Sequence, residues 1–359
     1  RQFQAGVHIL RNVAVAHSMG GPIADIAETA IRALLPAVTA EFEKQHGKLP
    51  GRGLAVIGLG KLGGREMNVG SDLDLVFIYD VPAELGDEWT LMQSDGSRPL
   101  APMHYYARLA QRTIGALDVA TTEGRLFEVD MRLRPSGNSG PIASGLAAFG
   151  RYQREEAWTW EHMSLTRARV VAGDPSFATE IEAGIRDLLC RPRDGDQLVV
   201  DIADMRRRMA ETYPADNLWD VKHWRGGMVD VDFIAQYLQL RHAESNPAVL
   251  SPNTRAALTN LAKAGLLDRE AAEDLIEAVH LWHNIQGLLR LTVGHKLDEA
   301  ALPAGIAAAL AAAGDEVDFR GLKQHMIDIA ELALGHYRTL IDEPADAARP
   351  RLDSRETER

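Results

Sequence analysis

The chain has one cysteine, Cys190, in 359 residues, which excludes an internal disulfide framework and fits a reducing, cytoplasmic setting. It has no excess of basic side chains: 39 Lys and Arg stand against 51 Asp and Glu, a net charge of −12. Phosphate backbones select basic surfaces, so nucleic acid is not expected as a primary partner. No apolar run approaches the roughly 18 residues needed to span a bilayer, so no membrane segment is expected either. What remains, 46% hydrophobic and 25% charged residues, is the composition of an ordinary globular protein with length for two or three domains.

The most informative segment is Gly70 to Tyr79, GSDLDLVFIY, a Gly-Ser turn feeding two aspartates into an apolar run. Alternate residues of a strand share a face, so the spacing predicts that Asp72 and Asp74 project side by side. Two carboxylates about 4 Å apart at an effective dielectric near 20 repel by roughly 4 kcal/mol, a cost that a divalent cation removes. Carboxylate oxygens with no Cys or His nearby suit magnesium, or alternatively manganese. A third acid, Asp130, comes from RLFEVDMRLR at Arg125 to Arg134, where Asp130 and Arg132 share a face under period two. Three such acids on neighbouring strands could hold two metals, one gripping the phosphates of a nucleoside triphosphate and one lowering the pKa of an attacking hydroxyl, with Gly70 and Ser71 offering N–H groups and a hydroxyl. This is the chemistry of nucleotidyl transfer.

A competing pattern precedes it. LAVIGLGKLG at Leu54 to Gly63 places Gly58, Gly60 and Gly63 in the G-x-G-x-x-G spacing after an apolar strand, with Asp80 about 20 residues on. A dinucleotide-binding unit needs a full helix after those glycines, and KLGGREMNV before Gly70 leaves room for a turn at most. The glycines therefore read as a loop that lets backbone approach a polyphosphate, with Lys61 and Arg65 as phosphate partners or as solvated loop charges.

Hydrophobic spacing predicts helix from Val7 to about His46, a break at Gly47–Gly53, strands between Leu54 and Tyr79 and between Thr121 and Leu133, and a helix near Met103 to Leu117. Trp158, Trp160 and His162 read as core or interface. Beyond Pro175 the pattern is helical, with Val231, Ile234, Ala235 and Leu238 on one face. The fold class is α+β: a small nucleotidyltransferase-type mixed sheet with helices, then a C-terminal all-helical bundle. The expected boundaries are a helical segment at 1–50, a catalytic domain at 51–174, a helical domain at 175–341 and a polar, disordered tail at 342–359.

GLGKLGGREMNVGSDLDLVFIYD (Gly58 to Asp80), VDMRLRPSGNSGP (Val129 to Pro141) and GGMVDVDFIAQYLQL (Gly226 to Leu240) resemble glutamine synthetase adenylyltransferase, a tandem-duplicated family of the nucleotidyltransferase superfamily. One half of that family removes AMP from glutamine synthetase by phosphorolysis and the other attaches it from ATP. VDMRLRPSG and the Val229-Asp230 pair look like the adenylylating half. The resemblance implies that Asp72, Asp74 and Asp130 bind magnesium and that Gly70 and Ser71 cradle the triphosphate. It sets Arg132 and Arg134 beside the third acid, to meet phosphate or partner or to pair with nearby acids, and makes Lys222, upstream of the Gly226-Gly227 turn, a phosphate contact. Implied partners are glutamine synthetase and the PII signal protein. A single Gly-Ser/Asp-x-Asp copy in a chain starting at Arg1 reads as a piece of a longer, duplicated protein. The alternatives are the adenylyl-removing half, another protein nucleotidyltransferase such as a uridylyltransferase, or a nucleotide-binding sensor without catalysis.

Overall fold

The computed structural model describes residues 1–357 apart from 12, 87, 123, 295 and 296. The chain divides into two compact units: Ala24–Leu189, and Arg1–Ile23 together with Cys190–Arg359. This division falls at 189/190, beside an expected boundary at 174/175, and residues of the expected 1–50 segment fall in both units.

The Ala24–Leu189 unit is built on strands β1 (Leu54–Gly58), β2 (Leu73–Tyr79), β3 (Ala120–Thr121), β4 (Gly124–Arg125), β5 (Val129–Asp130), β6 (Ala143–Gly145) and β7 (Arg169–Ala172). Antiparallel β1 and β2 run from Leu54 opposite Tyr79 to Gly58 opposite Leu75. β1 is an apolar run buried at every residue, and β2 is buried except at the half-buried Asp74 and Tyr79, as befits central strands. β7 pairs with the other side of β1. On the far side of β2 two short strands lie parallel to it, β5 beside Leu73 and Asp74 and β6 beside Phe77 to Tyr79. The helix Pro102–Asp118, entered through Pro102 at its first turn, packs Tyr106 flat on Tyr79 with ring centroids 4.5 Å apart. Burial in that stack pushes the Tyr106 hydroxyl well above its ordinary pKa.

Strand is sparser than expected between Thr121 and Leu133. β3 and β4 form a separate ribbon, and only Val129 and Asp130 join the main sheet. The adjacent apolar pair Leu126-Phe127 breaks the alternation there, with Phe127 buried and Leu126 exposed. Trp158, expected in a core or interface, is 71% exposed.

In the other unit the helices Met228–His242, Arg269–Thr292 and Phe319–Tyr337 surround a core that includes the fully buried Trp282. The expected stripe of Val231, Ile234, Ala235 and Leu238 belongs to a helix buried nearly all round from Met228 to Leu240. Asp230 in its first turn is fully buried, accepting from Arg206 Nε at 2.5 Å, Gly226 N at 2.5 Å and Arg225 Nη1 at 3.2 Å. Trp282 Nε1 donates to the Gly226 carbonyl at 3.2 Å, and the Gly226 α-carbon lies so close to the Ala330 carbonyl that no Cβ fits. The Gly226-Gly227 turn is thereby fixed from three sides.

Residues 343–357 of the expected disordered tail form a helix, Glu343–Thr357; residues 358 and 359 lie outside the described residues. It packs on Gly195–Thr212 through the buried Ala345 and Ala348. Arg349 pairs with Asp204 at 2.7 Å, Arg351 with Asp196 at 2.7 Å and Arg355 with Asp194 at 2.9 Å. Polar composition concealed a segment whose partner is a row of acids some 150 residues away in sequence.

Candidate active site

The β1–β2 connection positions the acids. Gly60 opens a five-residue helix, Gly60–Gly64, with φ of +50°, and a Cβ on it would overlap the Asp74 carboxylate. A Cβ at Gly63 would overlap the Arg167 carbonyl, and one at Gly58 would press on the Leu62 side chain. Each glycine of the G-x-G-x-x-G spacing therefore answers a close neighbour. β2 returns antiparallel to β1, whereas a dinucleotide fingerprint requires a βαβ unit with parallel strands, so that reading is excluded on topology. Asp80 is taken by Arg52, which donates to it from Nη2 at 2.8 Å and from its backbone N at 2.8 Å. Burial pushes the Asp80 carboxyl up, and Arg52 more than offsets this, leaving it below the usual range.

Asp74 and Asp130 are direct partners across the parallel β2–β5 pair. Paired residues of neighbouring strands are about 5 Å apart and face the same way, so the two acids stand on the same face of the sheet. Asp72 is exposed and lies one residue before β2. The Asp130 carboxylate accepts from Arg132 Nε at 2.8 Å and from the Arg132 backbone N at 2.8 Å, and the Arg132 guanidinium holds it below the usual carboxylate range despite partial burial. Arg132 thus meets the third acid, as period two suggested, but from a turn, because β5 ends at Asp130. Among the described residues no three His, Cys, Asp or Glu side chains are gathered tightly enough to hold a metal ion.

Gly70 has φ of +74°, a backbone conformation that favours glycine, and it leads into Ser71, whose hydroxyl accepts from the Asn68 N–H at 2.9 Å. The buried Ser71 hydroxyl closes the loop before β2. Lys61 lies half-buried in the Gly60–Gly64 helix. Arg65 is committed to Asp25 at 2.7 Å and Glu28 at 3.0 Å. Arg134 donates to the carbonyls of Met131 and Asn138 at 2.8 and 3.2 Å, bracing the loop after β5. Lys222 is exposed in the helical unit and lines a cavity of about 450 Å³ with Trp219, His223, Gln286 and Arg290. Sequence reasoning did not single out Arg167 and Arg169, which grip the Gly60–Gly64 turn; the only local signal is their spacing of two where the chain enters β7.

An antiparallel hairpin carrying paired acids, a third acid on a parallel neighbour and a following helical body define an α+β architecture of the nucleotidyltransferase type. A family model described as glutamate-ammonia ligase adenylyltransferase matches residues 2–184, and one described as GlnD PII-uridylyltransferase matches residues 201–326. The chain belongs to the glutamate-ammonia ligase adenylyltransferase family. Among its relatives, proteins named bifunctional glutamine synthetase adenylyltransferase/adenylyl-removing enzyme are 42% identical in Bradyrhizobium sp., over 95% of this chain and 34% of the relative. The corresponding values are 41%, 96% and 34% for Bradyrhizobium diazoefficiens, and 44%, 91% and 33% for Xanthobacter autotrophicus. The chain spans about one third of the length of the curated relatives it matches. Among the described residues no helix is long and apolar enough to cross a membrane.

Proposed function

We propose that the chain transfers AMP from ATP to a tyrosine of glutamine synthetase in the cytoplasm, releasing pyrophosphate, and that Asp72, Asp74 and Asp130 are its metal-binding acids. The single observation that carries this reading is the pairing of Asp74 with Asp130 across β2 and β5, at the mouth of the Gly60 turn. The donor chemistry fits a hard divalent cation: carboxylate oxygens with no sulfur or imidazole among the three. A magnesium ion held there by Asp72, Asp74 and Asp130, or manganese in its place, would neutralise phosphate charge and favour the acceptor phenolate, whose unperturbed pKa is about 10.

The protein's own residues do the remaining work. Strand pairing sets Asp130 opposite Asp74. Arg132 is 71% exposed and can turn from Asp130 towards a phosphate, and the Asp130 carboxylate it leaves, 14% exposed, would then be balanced by the cation. Lys61 and the Gly60 and Gly70 backbone all precede Asp74 in the β1–β2 connection and support the triphosphate. In-line placement of the acceptor hydroxyl then supplies a large share of the rate. The adenylylating direction is favoured by VDMRLRPSG and the Val229-Asp230 pair, and the names of the relatives support glutamine synthetase as acceptor. The match to a PII-uridylyltransferase model at residues 201–326 motivates testing the PII signal protein as a partner of the helical unit.

Incubating the chain with α-labelled ATP, magnesium and glutamine synthetase tests this reading. Label transferred to a tyrosine is the expected result. Phosphate-dependent release of AMP from modified glutamine synthetase without forward transfer would reassign the chain to the opposite direction. Labelling from UTP in preference to ATP would reassign the nucleotide.

A further inference from the structure

The turn that lies against Asp74 is gripped by two arginines that the reading above does not use. Arg167 and Arg169 are two residues apart where the chain enters β7. Arg167 is 8% exposed, pairs with the equally buried Glu66 and donates from Nε to the Gly60 carbonyl at 3.0 Å. Arg169 pairs with the buried Glu28 at 2.5 Å and donates to the Leu62 and Gly63 carbonyls at 3.2 and 3.3 Å. The Arg167 carbonyl itself fills the place a Gly63 Cβ would take. On the turn's other flank, the Gly60 α-carbon abuts the Asp74 carboxylate and the Leu59 N–H donates to the Asp74 carbonyl at 2.9 Å. Three carbonyls of a five-residue turn are therefore tied to arginine, and the turn is clamped between those arginines and Asp74.

Buried ion pairs are a weak source of net stability, because desolvation offsets most of their attraction. What a guanidinium fork supplies, and an apolar filling does not, is a fixed direction and distance for each acceptor it holds. We propose that Arg167 and Arg169 are positioning residues for the nucleotide: they set the height of the Gly60–Gly64 turn, and with it Lys61 and the Asp74 carboxylate, over the path of the triphosphate. The inference rests on the nucleotidyl-transfer reading. Neither arginine is assigned contact with ATP; both act through the turn.

The test substitutes Arg167→Lys, which keeps the charge opposite Glu66 but lacks the fork needed to hold Glu66 and the Gly60 carbonyl together. Binding of magnesium α,β-methylene-ATP is measured by calorimetry on the full chain, beside AMP-transfer kinetics with glutamine synthetase and circular dichroism. The analogue Kd and the KM for ATP are expected to rise about tenfold, the equivalent of one charge-assisted hydrogen bond. The KM for glutamine synthetase stays within about twofold, whereas a general loss of structure would move both. Glu66→Gln, which retains an acceptor for the Arg167 fork, is expected to bind the analogue within about threefold of the parent chain. Should Arg167→Lys fail to fold, Arg169→Lys, at a side chain 22% exposed, carries the test with the same expected split. If the unsubstituted chain binds the analogue and transfers AMP while folded lysine variants bind it equally well, the positioning role is overturned and the reaction stands. If the unsubstituted chain neither binds the analogue nor transfers AMP, the reaction falls and the inference with it.

Discussion

Replacing Arg206 by Met gives a direct measure of what holds the Gly226-Gly227 turn. Arg206 and Asp230 are 2% and 0% exposed, so Arg206→Met leaves a carboxylate out of water, a change that costs about 3–5 kcal/mol for a buried pair. Two partners remain, the Gly226 N–H at 2.5 Å and Arg225 Nη1 at 3.2 Å, which places the expected loss near the lower end, about 3 kcal/mol. For a unit of roughly 150–250 residues each kcal/mol moves the melting temperature by about 2–4 °C, so the unit should melt about 6–12 °C lower. Asp230→Leu should cost a similar amount, since it strands the Arg206 fork and the Gly226 N–H. The double variant removes both charges and leaves mainly the Gly226 N–H unpaired, a penalty of about 1–3 kcal/mol, so it should be more stable than either single variant. Urea unfolding at constant m is the assay. Additive single-variant losses, within about 0.5 kcal/mol, would refute the claim that the turn is organised around a buried charge pair.

Asp74→Asn or Asp130→Asn should lower AMP transfer by roughly 10²–10³-fold or more, with circular dichroism unchanged; near-parental turnover in either would remove the paired-acid proposal. The Arg132 guanidinium depresses the Asp130 pKa, so their pair contributes stability that is complete above the unfolded carboxylate value of about 3.9 and is lost as pH falls through the depressed folded value. Arg132→Gln should therefore lower stability in the neutral region, converge with the parent chain well below about pH 4, and so flatten the acid limb of the pH-stability profile. The Glu343–Thr357 helix rests on arginine–aspartate pairs open to solvent, so amide exchange of residues 343–357 should speed up between 0.05 and 0.5 M salt, roughly a threefold drop in Debye length, more than in Met228–His242. Equal protection at both salt levels would show that Ala345 and Ala348 hold the helix alone.

The parts legible in the sequence were those written in short-range pattern. β1 is an apolar run between glycines, β2 is an apolar run that follows the Gly70-Ser71 turn, and Pro102–Asp118 carries its own amphipathic spacing. The parts that were not legible depend on distant partners. Arg65 reads as a free loop charge until Asp25 and Glu28 come forward from another helix. Arg134 stands beside the third acid in sequence, yet its donors turn back on its own loop. Asp230 is the centre of a buried network whose Arg206 comes from another helix, 24 residues away in sequence. The Glu343–Thr357 helix has weak periodicity because ion pairs, with two alanines, fix its face.

The third acid rides on a strand two residues long, while the hairpin that carries its partner is paired over five. Local opening costs less where fewer buried hydrogen bonds must break, so β5 can part from β2 while the β1–β2 hairpin stays closed. Asp130 would then leave and rejoin Asp74 as a separate, fast equilibrium within the folded state. Whatever binds both carboxylates draws that equilibrium to the closed side, and the slowing of amide exchange at Leu73, whose N–H donates to the Glu128 carbonyl at 2.8 Å, would report occupancy of the site without any turnover.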